Sequence, residues 1–157
     1  AAKVAEVLGV DSYQITAPVM LHDRALRDLL WEQPELLDVR RRAADADIAL
    51  ITVGEISPDA TIFRHAIVPA ALIPSLKAKG AVANILSYFV DAAGKLVDHE
   101  VNDRVMAIGL DVVSAIPNVV LAAGGHHKIA AIRAALKAVE ANVLITDSET
   151  AKALSEG

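Results

Sequence analysis

Cysteine is absent from the 157 residues, so neither a disulfide nor a thiolate metal centre is open to this chain. The absence fits a reducing compartment, and a cytoplasmic location is the expectation. Aromatic residues are almost as scarce: two Phe, two Tyr and one Trp. A core must therefore be assembled from Ala, Val, Ile and Leu, as in α/β proteins whose strands are buried on both faces. No apolar run approaches the roughly 20 residues that cross a bilayer. The opening A-A-K-V-A-E-V-L has charges at helical spacing and does not read as a signal peptide, so no membrane partner is expected. The chain also lacks a block of Lys/Arg, and its net charge of −5 argues against a free-standing nucleic-acid binder. The one basic cluster, Arg40-Arg41-Arg42, stands beside Asp38, Asp45 and Asp47 and reads as a solvated helix face.

What is present is 54% hydrophobic and long enough for one sizeable core, so residues 1–157 are expected to form a single domain. The patterning predicts a helix over 2–9, a short strand S-Y-Q-I-T at 12–16, and a helix capped by Asp23 that runs to about 31. A second helix over 34–46 takes Pro34 in its first turn. I-A-L-I-T-V (48–53) reads as a buried strand ending at Gly54, followed by a loop over 55–68 and a helix opened by Pro69 and closed by Gly80. A-N-I-L-S-Y-F-V (83–90) reads as one strand, D-A-A-G as a turn, and K-L-V-D as a segment pairing back. Residues 101–108 are expected as a further strand and Leu110–Ser114 as a helical turn. The last third is the plainest: strand 118–122, helix 126–139, strand 142–146, and helix 148–156 with Ser148 as its cap. Strands and helices that alternate through short links predict an α/β fold with a mostly parallel sheet flanked by helices.

In such sheets ligands sit at the carboxyl ends of strands. Three strand ends carry glycine or polar residues: Gly54-Glu55, Gly124-Gly125-His126-His127-Lys128, and Thr146-Asp147-Ser148. Gly124 and Gly125 allow close backbone approach, the following helix offers free N–H groups, and Lys128 adds a full charge. Together these make an anion site; the same residues also serve as a plain strand-to-helix turn. His126 and His127 point about 100° apart on a helix, and the other histidines lack H-x-x-x-H spacing, so no metal site is expected. Without cysteine or a G-x-S-x-G elbow there is no nucleophile, and no catalytic residue is assigned. Arg64, between Phe63 and Ile67, either pairs with a carboxylate or faces a ligand anion. The run from His99 to Arg104 is either a solvated edge or a place where Asn102 or Arg104 has a specific role.

Three blocks resemble a known family: A-V-A-N-I-L-S-Y-F-V-D-A-A-G-K-L-V-D-H-E-V-N-D-R-V, then V-V-L-A-A-G-G-H-H-K-I-A-A-I-R-A-A-L, then V-L-I-T-D-S-E-T-A-K-A-L. Their order and spacing, with the upstream D-I-A-L-I-T-V-G-E-I-S-P-D-A-T-I-F-R, are similar to the effector-binding domain of SorC-family transcriptional regulators. The resemblance covers essentially the whole chain. It implies a sugar-phosphate isomerase/CoA-transferase-like fold without catalytic function and without a cofactor. It also implies a phosphorylated sugar or polyol as effector, control of a carbohydrate-catabolism operon, and assembly into a homo-oligomer, dimer or tetramer. Carried over residue by residue, the implied effector contacts are Arg64, Asn84, Leu86 and Lys128, with His126 and His127 as bystanders; the strand-end glycines Gly54, Gly124 and Gly125 complete the expected effector site. Two departures stand out: Ala83-Asn84 replaces a Gly-acid pair, and Thr52 stands where the family tends to have glycine. The resemblance further implies that the helix-turn-helix and a Gly-Thr-rich phosphate loop lie outside this sequence. Operator DNA is then reached only through that missing domain, and effector binding by the chain alone is expected to be weak. The alternative is a sugar-phosphate isomerase-like enzyme on the same fold, which needs His99 or His127 beside Glu55.

Overall fold

Three parallel strands and three antiparallel strands contribute side chains to one core of small aliphatic residues. The computed structural model describes residues 2–156; residues 1 and 157 of the expected single domain lie outside the described residues. In chain order the elements begin with α1 (Ala2–Leu8), α2 (Arg24–Trp31), α3 (Pro34–Ala44), β1 (Ile48–Ile51), β2 (Gly54–Glu55), α4 (Thr61–Arg64) and α5 (Ile73–Ala78). They continue with β3 (Ala83–Ile85), β4 (Tyr88–Val90), α6 (Glu100–Asp103), α7 (Leu110–Ser114), β5 (Asn118–Ala122), α8 (Ile129–Ala138), β6 (Val143–Ile145) and α9 (Ser148–Ser155). The parallel sheet has the order β1-β5-β6, with Ile48 opposite Asn118 and Val120 opposite Val143. The antiparallel sheet has the order β2-β3-β4, with Gly54 opposite Asn84 and Asn84 opposite Phe89.

The expected α/β architecture with a parallel sheet and flanking helices is present, and its cause is visible in the burial pattern. Ile51, Val119 and Leu121 point from the parallel sheet into the same core as Ala131, Ile132, Ala134 and Ala135 of α8. That helix packs across β2, β3 and β4. Alanine at the contact positions lets the helix axis approach the sheet closely, and the branched strand residues fill the remaining space. Gly94, at φ +82°, lies against the last turn of α8, where a Cβ would meet the backbone of Ala138. A second cluster, including Phe63, Val68, Leu76, Phe89 and Val101, backs the other face of the antiparallel sheet. The outer face of the parallel sheet is uncovered. Ile48 and Leu50 are 62% and 69% exposed, and Val143 and Ile145 are 44% and 58% exposed.

Helix starts agree with their sequence signals at two places. The Asp23 carboxylate accepts the Leu26 N–H at 2.9 Å, and Pro34 occupies the first turn of α3. The basic cluster is a solvated face as expected: Arg41 and Arg42 pair with Asp38, and Arg40 stacks on Trp31.

Four expectations are corrected. S-Y-Q-I-T at 12–16 lies outside both sheets, and Tyr13 is instead covered by the Arg42 guanidinium, 4.1 Å from its ring centroid. The supposed single strand over 83–90 is a hairpin that turns at Leu86 and Ser87, both at positive φ (48° and 72°). Two consecutive left-handed residues match the right-handed twist of the paired strands, but neither is the Asn or Gly that marks such turns in a sequence. The loop expected over 55–68 begins with the last residue of β2 and contains α4. Residues 101–108, expected as a strand, are α6 and an extended segment whose Val105 bridges Met20.

Asn102 explains that last error. Its side chain is buried; Oδ1 accepts the Phe89 N–H at 2.8 Å, and Nδ2 donates to Phe89 O at 3.0 Å and Val97 O at 2.9 Å. The amide thus stands in for a neighbouring strand beside β4. Arg104 Nε donates to Leu21 O at 2.8 Å, tying the N-terminal stretch to the same corner.

Two measurements test this account. Asn102→Leu strands one buried N–H and weakens the satisfaction of two carbonyls, and is expected to cost about 3 kcal/mol in urea unfolding. Leu121→Ala in the closed core is expected to cost about 2–5 kcal/mol, against less than about 0.5 kcal/mol for Leu50→Ser on the open face. Equal costs for the two leucines would contradict the burial pattern.

Candidate functional site

The chain turns inward where β1 and β5 end. Thr52 and Val53 continue from β1, Ala122 closes β5, and a cleft of about 1050 Å³ opens beside them, walled by β2, the 86–87 turn and α4. Strand ends of a parallel sheet leave backbone groups unpaired at the point where the helices diverge, and this makes the crevice. Five of the seven expected site residues, Gly54, Arg64, Asn84, Leu86 and Lys128, line it.

Each arrives by a separate local cause. Gly54 and Asn84 are register partners at the open end of the antiparallel sheet. Asn84 is half-buried, and its Nδ2 donates to Tyr88 O at 3.2 Å, which turns the amide within its own hairpin. Leu86 enters the lining because of its left-handed backbone, a conformation costing roughly 1–2 kcal/mol for a residue with a Cβ. Arg64 closes α4, a single helical turn whose Ile62 and Phe63 are buried and so aim the arginine outward. Lys128 ends a 3-10 turn over His126–Lys128 that leads into α8, and is half-buried there. Among the described residues neither Arg64 nor Lys128 enters an ion pair. Two cations face the cleft with their charge unspent.

Gly124 and Gly125 do not belong to the lining. The Gly125 N–H donates to Asp147 Oδ2 and Thr150 Oγ1, both at 2.9 Å. The loop does bind an anion, and the anion is the chain's own carboxylate. Asp147 also accepts the Thr150 N–H at 2.8 Å and the Thr150 hydroxyl at 2.7 Å. It is therefore the cap of α9, where Ser148 was expected. Gly124 leaves room for the Asp147 carboxylate, which a Cβ at that position would strike, and Gly125 sits at φ +105°. Hydrogen bonds from the Thr150 N–H, the Thr150 hydroxyl and the Gly125 N–H favour the ionised form and hold the Asp147 carboxyl down to about 2, with the Thr150 N–H the largest cause.

His127, a bystander in the effector reading and a partner of Glu55 in the enzyme alternative, lines the cleft with Lys128, while His126 does not. Ser57, Asp59 and Thr61 also reach it and were passed over as loop residues. Only the polar composition of S-P-D-A-T hinted at them. His99 is elsewhere: its Nδ1 accepts the Val101 N–H at 3.2 Å as the cap of α6, and its Nε2 lies 3.0 Å from Ser75 Oγ. A His99–Glu55 acid/base couple is not built here. Among the described residues no three His, Asp or Glu side chains gather to hold a metal ion, and no helix is long and apolar enough to cross a membrane.

Residues 1–155 match the family described as "Putative sugar-binding domain". The chain belongs to this sugar-binding domain family. This sugar-binding domain is 35% identical over 143 residues to the transcriptional regulator LsrR of Enterobacter sp. (strain 638), covering 89% of this chain and 44% of that protein. The chain thus spans about half the length of the curated relatives it matches. A DeoR family transcriptional regulator from Listeria monocytogenes superposes with a TM-score of 0.92 at 25% identity, over 98% of this chain and 62% of that one. The full-length sorbitol operon regulator SorC from Klebsiella pneumoniae shares the fold with a TM-score of 0.88 at 24% identity, over 98% of this chain and 50% of that one. The resemblance to SorC-family regulators drawn from the three sequence blocks agrees with these matches.

The Asp147 junction of the sugar-binding domain has a pH signature. A carboxyl whose folded value lies at about 2, below its ordinary value of 3.8, contributes stability that is complete above about pH 4 and is lost as pH falls towards 2. Thermal melts between pH 5 and pH 2 are expected to fall less steeply for Asp147→Asn than for the parent, with the variant less stable at neutral pH. Parallel curves would remove Asp147 from this role.

Proposed function

We propose that this sugar-binding domain is the effector sensor of a bacterial transcriptional regulator and takes a phosphorylated sugar or polyol in the cleft at the ends of β1 and β5. The observation that carries the reading is the pair of unneutralised cations, Arg64 and Lys128, facing one crevice with the amide of Asn84. A phosphate needs charge-assisted donors and the sugar needs amide and backbone partners; this set supplies both. Gly54 allows close approach beside Asn84, and Leu86 gives the sugar ring an apolar edge.

In this reading the domain does no chemistry. Glu55 and His127 share the cleft, as an isomerase-like enzyme would require, but the matched relatives are named as regulators. Residues 1–157 act as one unit of the sensor, and operator DNA is contacted by a helix-turn-helix segment of the parent protein. The sensor works as a homo-oligomer, dimer or tetramer, in the cytoplasm, and effector binding changes the subunit arrangement that controls a carbohydrate-catabolism operon.

Thermal shift against a panel of sugar and polyol phosphates tests the assignment. A true effector at about 100 times its Kd adds roughly 2.7 kcal/mol, which is a rise of about 5–10 °C for a domain of this size. Lys128→Ala is expected to weaken that ligand about 10- to 100-fold, the loss of one charge-assisted contact. An effector whose affinity ignores Lys128 would move the site out of this cleft.

A further inference from the structure

The cleft holds unspent charge of both signs. Beside Arg64 and Lys128 the lining includes two carboxylates, Glu55 and Asp59, and among the described residues neither is in an ion pair. Asp59 is exposed in the loop before α4 and is free to turn to water. Glu55 is not. It is half-buried at the end of β2, its backbone is registered against Ala83 of β3, and its Oε1 accepts the Ser57 hydroxyl at 3.1 Å. Ser57 lines the cleft too, so the pair forms part of one wall.

A carboxylate only accepts hydrogen bonds, with about four lone-pair sites, and Ser57 occupies one. Its charge repels the anion that Arg64 and Lys128 attract. For a site built to hold a bare phosphate, Glu55 is therefore a loss. It becomes a gain when the rest of the ligand brings hydroxyl donors to it, because a half-buried acceptor left without donors is penalised.

We propose that Glu55, positioned by Ser57, is a specificity-determining residue of the cleft: it accepts hydrogen bonds from hydroxyls of a ligand whose anionic group rests on Arg64 and Lys128, and so selects polyhydroxylated phosphates over simple anions. The proposal rests on the effector reading above and adds the group that reads the sugar end.

The test exploits a difference in sign. Calorimetric Kd values are measured for inorganic phosphate, D-ribose 5-phosphate, 2-deoxy-D-ribose 5-phosphate and D-sorbitol 6-phosphate, against the parent protein, Glu55→Gln and Ser57→Ala. If Glu55 reads hydroxyls, Glu55→Gln weakens the best-bound hydroxylated phosphate about tenfold or more while inorganic phosphate binds equally or more tightly. Ser57→Ala, which keeps the charge and frees the carboxylate, weakens the same ligand to a smaller extent and leaves phosphate unchanged. If Glu55 is merely a nearby negative charge, Glu55→Gln tightens all four ligands together, and the proposal is overturned while the anion site stands. It is equally overturned if no sugar or polyol phosphate binds the parent protein better than inorganic phosphate. Should the parent bind none of the four, the cleft reading itself fails and this one with it. Should Glu55→Gln not fold, the Ser57→Ala comparison decides: no loss for the hydroxylated ligand rejects the proposal.

Discussion

The close packing of α8 against β2, β3 and β4 is the contact on which the rest of the molecule depends. Ala131, Ala134 and Ala135 present almost no side chain, so the helix sits deep, and Ile132 and Val139 fill the space beside them. The same core takes the inner residues of the parallel sheet, Ile51, Val119 and Leu121. One helix therefore fixes the position of the antiparallel hairpin relative to the ends of β1 and β5. Larger residues on that face would push the hairpin away and open the cleft, because close-packed interiors have no spare volume.

Charge at the strand ends is divided between two uses. Asp147 supplies the chain's own anion to the Gly124-Gly125 loop, and so joins the end of β5 to the start of α9. That junction consumes the glycine amide that looked available to a ligand. What remains unspent lies a few residues on, at Lys128, and at the end of α4, at Arg64. The internal carboxylate holds the loop so that Lys128 projects from a fixed turn, and an ordered cation loses less side-chain entropy when it meets a ligand.

Legibility differed sharply along the chain, for physical reasons. The segment from 118 to 155 was readable because each strand is a short apolar run and each helix repeats at 3.6 residues, with only short links between them. Asp23 and Pro34 were readable because capping is local chemistry. The 86–87 turn was not, since Leu and Ser carry no signal for positive φ and are held there by the strands on either side. The alternation of V-N-D-R-V-M suggested a strand, but Asn102 points inward to complete the hydrogen bonds of Phe89. An inward amide with three partners is invisible until those partners are placed. In the site, Asn84 and Leu86 came from the family resemblance, Gly54 from its place at a strand end, and Arg64 and Lys128 from local charge chemistry that the resemblance then narrowed. None came from periodicity. Ser57 and Thr61 were missed because a polar residue in a loop looks the same whether it faces water or a cleft.

By itself, the order of residues determined the fold class, the elements of the last third and the family, because hydrophobic period, caps and spacing are properties of neighbours in sequence. The tertiary structure alone decided which charges are spent and which are free. Asp147 and Gly125 are 22 residues apart and meet only because β5 and β6 lie side by side. Arg64, Glu55 and Lys128 come from three separate stretches of the chain that line one cleft only in the folded structure. Whether a cation waits for a ligand depends on which carboxylates can reach it, and that distance is set by packing.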